Sequence, residues 1–416
     1  MIFMLKEKLI AYFKSGEKEH EKFTIGAEFE HIIVNKTDFK GVPFSGNEGV
    51  ESLLKKLSTK GWHTVDEGNH LVALEKAGTT ITIEPGSQFE LSIKSTNLIK
   101  EIDKSYLDFL KDVFPLLEER HQLMLAIGYQ PASKITEIDF NPKERYQYMA
   151  RYFKEKGKYA INMMKGTAAT QLTVDYAHQD DFRKKFQVAY VLSPLISALF
   201  DNSPIFEGEI FRDHCLRRLM WNNCDDRRCQ IPNIMKRDFG YADYAQFLLN
   251  TPPIFIKDGE EYIYTGEKTL AEVYSDRPLD LSEIEHAATM VFPDVRLKKF
   301  LEIRTADALP YPLNLAYITF WKALLYSQEN LNALYEFTMN ITGEDVEKAN
   351  KDVIQKGLNT QLGEGTLREL AKDLFFMAGN NITPHDAHYL QPLEVLIFKE
   401  IEPREITLRH LKERKD

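Results

Sequence analysis

Residues 24–34, TIGAEFEHIIV, and 81–93, ITIEPGSQFELSI, carry the reading of this chain. Side chains alternate across an extended strand, so Glu28 and Glu30 share one face of the first stretch while Ala27 and Phe29 take the other. In the second, Glu84, Gln88 and Glu90 fall on one face, opposite Phe89 and Leu91. Two further stretches repeat the pattern. In 169–176, ATQLTVDY, Gln171, Thr173 and Asp175 alternate with Leu172, Val174 and Tyr176. In 300–307, FLEIRTAD, Glu302 and Arg304 alternate with Leu301 and Ile303.

The plain alternative is that each polar face meets solvent, as one face of an antiparallel sheet often does. Against it, these faces are rich in Glu and Gln and lack the Lys, Ser and Thr mixture of a solvated sheet. Glu is also a poor strand former. Five strand glutamates need something to offset their mutual repulsion. A divalent cation does so: Mg²⁺ takes hard oxygen ligands, commonly a few carboxylates with waters and nucleotide phosphates. Such a sheet can present Mg²⁺ to a triphosphate without a glycine-rich loop. Indeed neither GxGxxG nor GxxxxGK[ST] occurs in the chain.

Outward from these strands, extended stretches are expected at 23–34, 71–75, 79–93, 123–127, 168–176 and 299–305. Helical periodicity is expected at 48–57, 98–121, 143–155, 180–200 and 314–337, and almost throughout beyond Gly343. This order is neither a regular βαβ alternation nor all-β, so the fold class is α+β with a mostly antiparallel sheet. No linker divides the 416 residues, which reads as one catalytic unit: a core over 20–310 and a helical part over 311–416 packed on it.

The net charge of −10, from 53 Lys+Arg against 63 Asp+Glu, argues against a nucleic-acid partner. No apolar run approaches the roughly 20 residues needed to cross a bilayer, and the first 23 residues read as an amphipathic helix. Three cysteines, Cys215, Cys224 and Cys229, match no common zinc spacing and read as reduced thiols, so a cytoplasmic location is expected. Within this acidic chain, residues 212–237 reverse the local sign with Arg212, Arg217, Arg218, Arg227, Arg228, Lys236 and Arg237. These are candidate forks for a carboxylate or phosphate. Arg217 and Trp221, four apart, would place a guanidinium beside an aromatic wall on one side of a helical turn.

The stretches IGAEFE, EPGSQFELS, RYQYMARYF, TQLTVDY, LFDNSPIFEG, the Arg217-to-Trp221 pair and LEIRTAD together resemble the plant-type and related bacterial glutamate–cysteine ligases, within the glutamine-synthetase-like carboxylate–amine ligases. The resemblance runs over residues 20–310, about 70% of the chain. It implies a curved antiparallel sheet of about six strands lining the active site and surrounded by helices. It implies that Glu28, Glu30, Glu84, Glu90, Gln171 and Glu302 surround two or more Mg²⁺ ions and that Arg304 faces the nucleotide phosphates. Lys165 would assist there. Arg145, Arg217 and Trp221 correspond to positions that hold glutamate, with Arg217 and Arg304 serving the reaction itself. The implied reaction joins the glutamate γ-carboxylate to the amino group of cysteine, with ATP as co-substrate, in a monomer or homodimer. The alternatives are a ligase of the same fold using another amine, or a guanidino-kinase-like phosphotransferase. Two departures stand out: His31-Ile32-Ile33 where the family usually continues Lys-Phe-Gly, and Gly166 where the plant-like pattern has an Arg before Thr167.

Overall fold

The computed structural model describes residues 2–259 and 261–413. Nine strands form one antiparallel sheet: β1 (Ile25–Asn35), β2 (His63–Glu67), β3 (His70–Lys76), β4 (Thr79–Ile83), β5 (Phe89–Thr96), β6 (Gln122–Leu125), β7 (Ala169–Val174), β8 (Val295–Leu297) and β9 (Leu301–Asp307). Their order is β8-β9-β7-β1-β5-β4-β3-β2, with β6 pairing the far end of β1. The sheet is thus wider than the six strands expected. The meander β2–β5 extends one side, and the short strand β8 closes the other.

The registers explain why the alternation was informative. Glu28 lies opposite Gln171 on β7 and Ser92 on β5, and Glu30 lies opposite Glu90. Thr82 lies opposite Glu90, and Arg296 opposite Glu302. Directly opposed residues point to the same face, so the carboxylates of separate sequence stretches become one surface. The reverse face carries Ala27, Phe29, Leu91, Ile93, Leu172, Val174, Leu301 and Ile303, all buried.

That apolar face is covered by helices Ile99–Glu119 and Leu313–Tyr326. Tyr106, Phe109, Tyr317, Phe320 and Trp321 from these two helices are buried in one hydrophobic cluster that runs from Leu5 to Ile397. The cluster joins the 311–416 part to the rest. Two expected helices are each broken in two. Residues 180–200 form Gln179–Val191 and Ser193–Leu199, restarting at Pro194 in the first turn. Residues 314–337 form Leu313–Tyr326 and Gln328–Thr338, separated at Ser327, whose hydroxyl accepts the Asn330 N–H.

Candidate active site

The carboxylate face is built from six strands and the helix Leu216–Trp221. Its residues divide by what already neutralises them. Glu302 is buried and fully committed: Arg296 approaches its carboxylate at 2.5 Å, Lys298 at 3.1 Å and Arg304 at 3.2 Å. Burial alone would push its pKa up, but Arg296, Lys298 and Arg304 outweigh burial and hold it well below the usual carboxylate range. Arg296 and Lys298 are the residues that the motif reading passed over. Their alternation in VRLK, two residues before LEIR, was the available signal.

Glu28, Glu30 and Glu90 are in the opposite condition. Burial pushes Glu30 up to about 7, with Glu84 adding repulsion against the relief from Arg217, the Ala169 N–H and Arg304. Burial raises Glu28 too, with Glu302 beside it, despite Lys298, Arg304 and Arg296. Glu90 is driven well above the ordinary range by burial and by Glu28, Glu84 and Glu30, against which it accepts the Thr82 hydroxyl at 2.8 Å and the Ser92 hydroxyl at 3.2 Å. Glu30 accepts from the Ala169 N–H and from Gln171 Nε2, both at 2.8 Å, and Gln171 Oε1 accepts from Arg304 at 2.7 Å. Gln171 is therefore a spacer between the acidic and basic ends of the face.

Among the described residues, no three His, Cys, Asp or Glu side chains converge into a metal cage by themselves. The donor set still fits Mg²⁺, which keeps several waters and binds through one or two carboxylates plus substrate phosphates. Glu28, Glu30, Glu84 and Glu90 bring hard oxygens, and none of the four is in an ion pair with a basic side chain. Gln171 and Glu302, the other two expected ligands, are tied to neighbouring side chains instead.

The helix bearing Arg217 is launched by a buried network. Asp201 in LFDNSP accepts the Cys215 N–H at 2.8 Å and pairs with Arg404 at 3.3 Å. Asp307 at the end of β9 accepts from the Asn202 N–H at 2.8 Å and the Ser203 hydroxyl at 2.6 Å. Cys215 stands in the left-handed region, φ 55°, at the helix entrance. LFDNSP thus orients Arg217, and the C-terminal helix Pro403–Glu413 supports it through Arg404. A bulge between Ile303 and Ala306 breaks the β9–β7 ladder. Arg217 reaches into it, donating to the carbonyls of Thr305 at 3.3 Å and Arg304 at 3.0 Å. Its guanidinium stands 5.5 Å from the Trp221 ring centre. Arg217 Nε, Trp221 Nε1 and Arg304 Nε are all buried without a partner.

Arg145, on helix Glu144–Phe153, borders the site through Glu84, packs 4.8 Å over the Tyr146 ring, and also has a buried Nε without a partner. The rest of the basic cluster disperses. Arg218 pairs with Asp294, Arg227 with Glu267, Arg228 with Asp225 and Lys236 with Asp243, while Arg212 and Arg237 are exposed. Only Arg217 turns to the carboxylates. Lys165 has a different occupation from the expected nucleotide contact. Its ammonium donates to the Ile135 and Ile138 carbonyls, the first at 2.8 Å, in a recess it shares with Gly86 and Gln88. Gln88 likewise leaves the expected face: it clamps the Met164 and Thr167 carbonyls at 3.0 and 2.9 Å.

The two departures also find their places. His31 points into the core, where Nε2 meets the Tyr106 hydroxyl at 2.9 Å and burial lowers its pKa to about 4. It leaves the carboxylate face untouched. A Cβ at Gly166 would lie 2.3 Å from the Tyr129 ring, so this chain fills with Tyr129 the space a longer residue would need.

The comparisons agree with this architecture. Residues 24–382 match the model of glutamate–cysteine ligase family 2. The chain is 29% identical over 415 residues to the chloroplastic glutamate–cysteine ligase A of Oryza sativa subsp. japonica, covering 97% of this chain and 84% of the relative. It is 30% identical over 385 residues to the chloroplastic glutamate–cysteine ligase of Nicotiana tabacum, covering 90% of this chain and 73% of that one. The crystal structure of the Francisella tularensis glutamate–cysteine ligase in complex with AMP shares the fold with a TM-score of 0.53 at 11% identity, over 93% of this chain and 84% of that one. With a family model matched across most of its length and this carboxylate-faced sheet beneath the match, the chain belongs to glutamate–cysteine ligase family 2.

Proposed function

We propose that this chain joins the γ-carboxylate of glutamate to the amino group of cysteine at the expense of ATP, giving γ-glutamylcysteine. The observation that carries the reading is the face on which Glu28, Glu30, Glu84 and Glu90 lie unneutralised beside Arg217 and Arg304, within a chain matched by the family model over 24–382.

The γ-carboxylate attacks the γ-phosphorus of ATP, the bond to the β,γ-bridging oxygen breaks, and ADP leaves as the acyl phosphate forms. The amine then attacks that carbonyl and phosphate leaves, so no protein nucleophile is required. Glu28, Glu30, Glu84 and Glu90 would hold two or more Mg²⁺ ions, which would neutralise the triphosphate charge when bound. Glu302 and Gln171 hold Arg304 toward the phosphates. Arg217 and Trp221 offer their unpaired donors to the glutamate head group, and Arg145 closes the other end. All three cysteines are free, and Cys215 is buried with its pKa pushed well up by burial and by Asp201, which suits a thiol that takes no chemical part. Free thiols fit a reducing compartment such as the cytoplasm. No helix of the described residues is long and apolar enough to cross a membrane.

The test is ADP formation by purified protein with Mg-ATP, glutamate and a panel of amines, with the product identified by mass. ADP release that needs both glutamate and cysteine, with γ-glutamylcysteine formed, is expected. Faster turnover with another amine redirects the acceptor, and phosphate transfer without amide formation overturns the reading.

A further inference from the structure

Beside Arg217 lies a small recess lined by Arg217, Arg218, Trp221, Phe292, Pro293, Asp294 and Arg304, with room of about 10 Å³. That is space for one group the size of a water molecule or an ammonium. Three of its lining residues carry a buried donor without a partner: Arg217 Nε, Trp221 Nε1 and Arg304 Nε. A buried N–H left unpaired costs about 1–3 kcal/mol, so this side of the recess is set for an acceptor such as a carboxylate oxygen.

Asp294 is the single carboxylate in the lining. Its side chain is 20% exposed and is held by Arg218, whose NH1 lies 2.8 Å from Oδ1. Arg218 is itself fixed by the Ser197 hydroxyl, at 3.1 Å from Nε and 2.9 Å from NH2. One nitrogen of Arg218 serves both Asp294 oxygens, which leaves acceptor capacity unused on a group with about four lone-pair sites. Asp294 and Arg217 are also anchored to the same bulge. The Arg304 N–H donates to the Asp294 carbonyl at 3.0 Å, while Arg217 donates to the carbonyls of Arg304 and Thr305. Acceptor and donors are therefore held at a constant separation by one irregular piece of backbone.

We propose that Asp294 binds the α-ammonium of the glutamate substrate at this recess, so that the glutamate site recognises an α-amino-acid head group rather than any carboxylate. Unpaired guanidinium and indole donors alone would accept a dicarboxylate that lacks the amino group. A fixed carboxylate beside them rewards the ammonium and repels a second anionic end. The proposal rests on the reading of this face as the glutamate site.

The experiment uses glutarate, which is glutamate without its amino group, as a competitor in the ADP-forming assay at fixed cysteine. Asp294→Asn should raise the glutamate KM about 10- to 100-fold, the loss of one charge-assisted hydrogen bond, and leave the glutarate Ki unchanged within about twofold or lower it. Asp294→Glu keeps the charge and should retain most of the preference for glutamate, which guards against a variant that merely misfolds. Parallel weakening of glutamate and glutarate by Asp294→Asn would show that the residue only supports Arg218, and would overturn the proposal. So would an unchanged glutamate KM, or a wild-type enzyme that binds glutarate as tightly as glutamate. Wild-type protein with no glutamate-dependent ADP formation would defeat the underlying reading of the site instead, and the two failures are distinguished by that control.

Discussion

Glu30 and Glu90 stand directly opposite each other across β1 and β5 on the same face of the sheet. Like charges so placed destabilise an antiparallel pair, and both carboxyls are pushed above their ordinary range, chiefly by burial. Without a cation the folded protein binds protons here that the unfolded chain does not. Its stability should therefore fall as pH rises from the unfolded value near 4.5 through about 7, where Glu30 is half ionised. Mg²⁺ should offset the repulsion only where the carboxylates are charged. Thermal melts should show Mg²⁺ raising Tm by about 2–5 °C at pH 8 and by less than about 1 °C at pH 5. An equal effect at both pH values would separate magnesium from these residues.

Glu30→Gln and Glu90→Gln each replace an anionic oxygen by a neutral amide on a face that is not apolar core. Turnover should fall by more than about tenfold in each, with the fold intact. Activity of both variants within about twofold of wild type would remove the metal role from this face.

Glu302→Gln should behave differently from Glu90→Gln in stability. It leaves Arg296, Lys298 and Arg304 without their shared counter-charge, and breaking a buried ion network costs about 3–5 kcal/mol. Glu90→Gln relieves repulsion instead. In the absence of Mg²⁺, denaturant titration should place Glu302→Gln well below wild type and Glu90→Gln at or above it. The reverse order would mean that Glu302 is the strained group.

Arg217→Lys keeps the charge but loses the planar fork and the Nε donor. The glutamate KM should rise about 10- to 100-fold while the ATP KM stays nearly constant. Loss of ATP affinity with glutamate affinity retained would assign Arg217 to the triphosphate.

A variant with Cys215, Cys224 and Cys229 all replaced by Ser should keep turnover, because acyl phosphate chemistry uses no protein thiolate. Folded but inactive protein would contradict that route. Cys215 is the position to watch for stability, since its buried sulfur lies 3.4 Å from the Ser197 carbonyl.

The sequence by itself determined the two faces of the sheet. Alternation at a period of two is a local property of extended chain, so Glu28, Glu30, Glu90 and Glu302 could be assigned to a side before their neighbours were known. It also located seven of the nine strands of the large sheet, missing β2 and β8, and several of the long helices but not Tyr241–Asn250 or Leu281–Thr289. It missed the break at Pro194, in the first turn of a new helix, and the one at Ser327, a capping residue inside an apolar pattern that continues across it. Tertiary structure alone decided which charges meet. Register set Glu30 against Glu90 and Arg296 against Glu302, and a bulge in β9 opened carbonyls for Arg217. Of seven basic residues clustered between 212 and 237, one faces the carboxylates. The others found Asp or Glu partners or solvent, and Lys165 found backbone carbonyls. Spacing along a chain carries side-chain direction for about one turn or one strand. Which distant group waits at the end of that direction depends on how the strands pair.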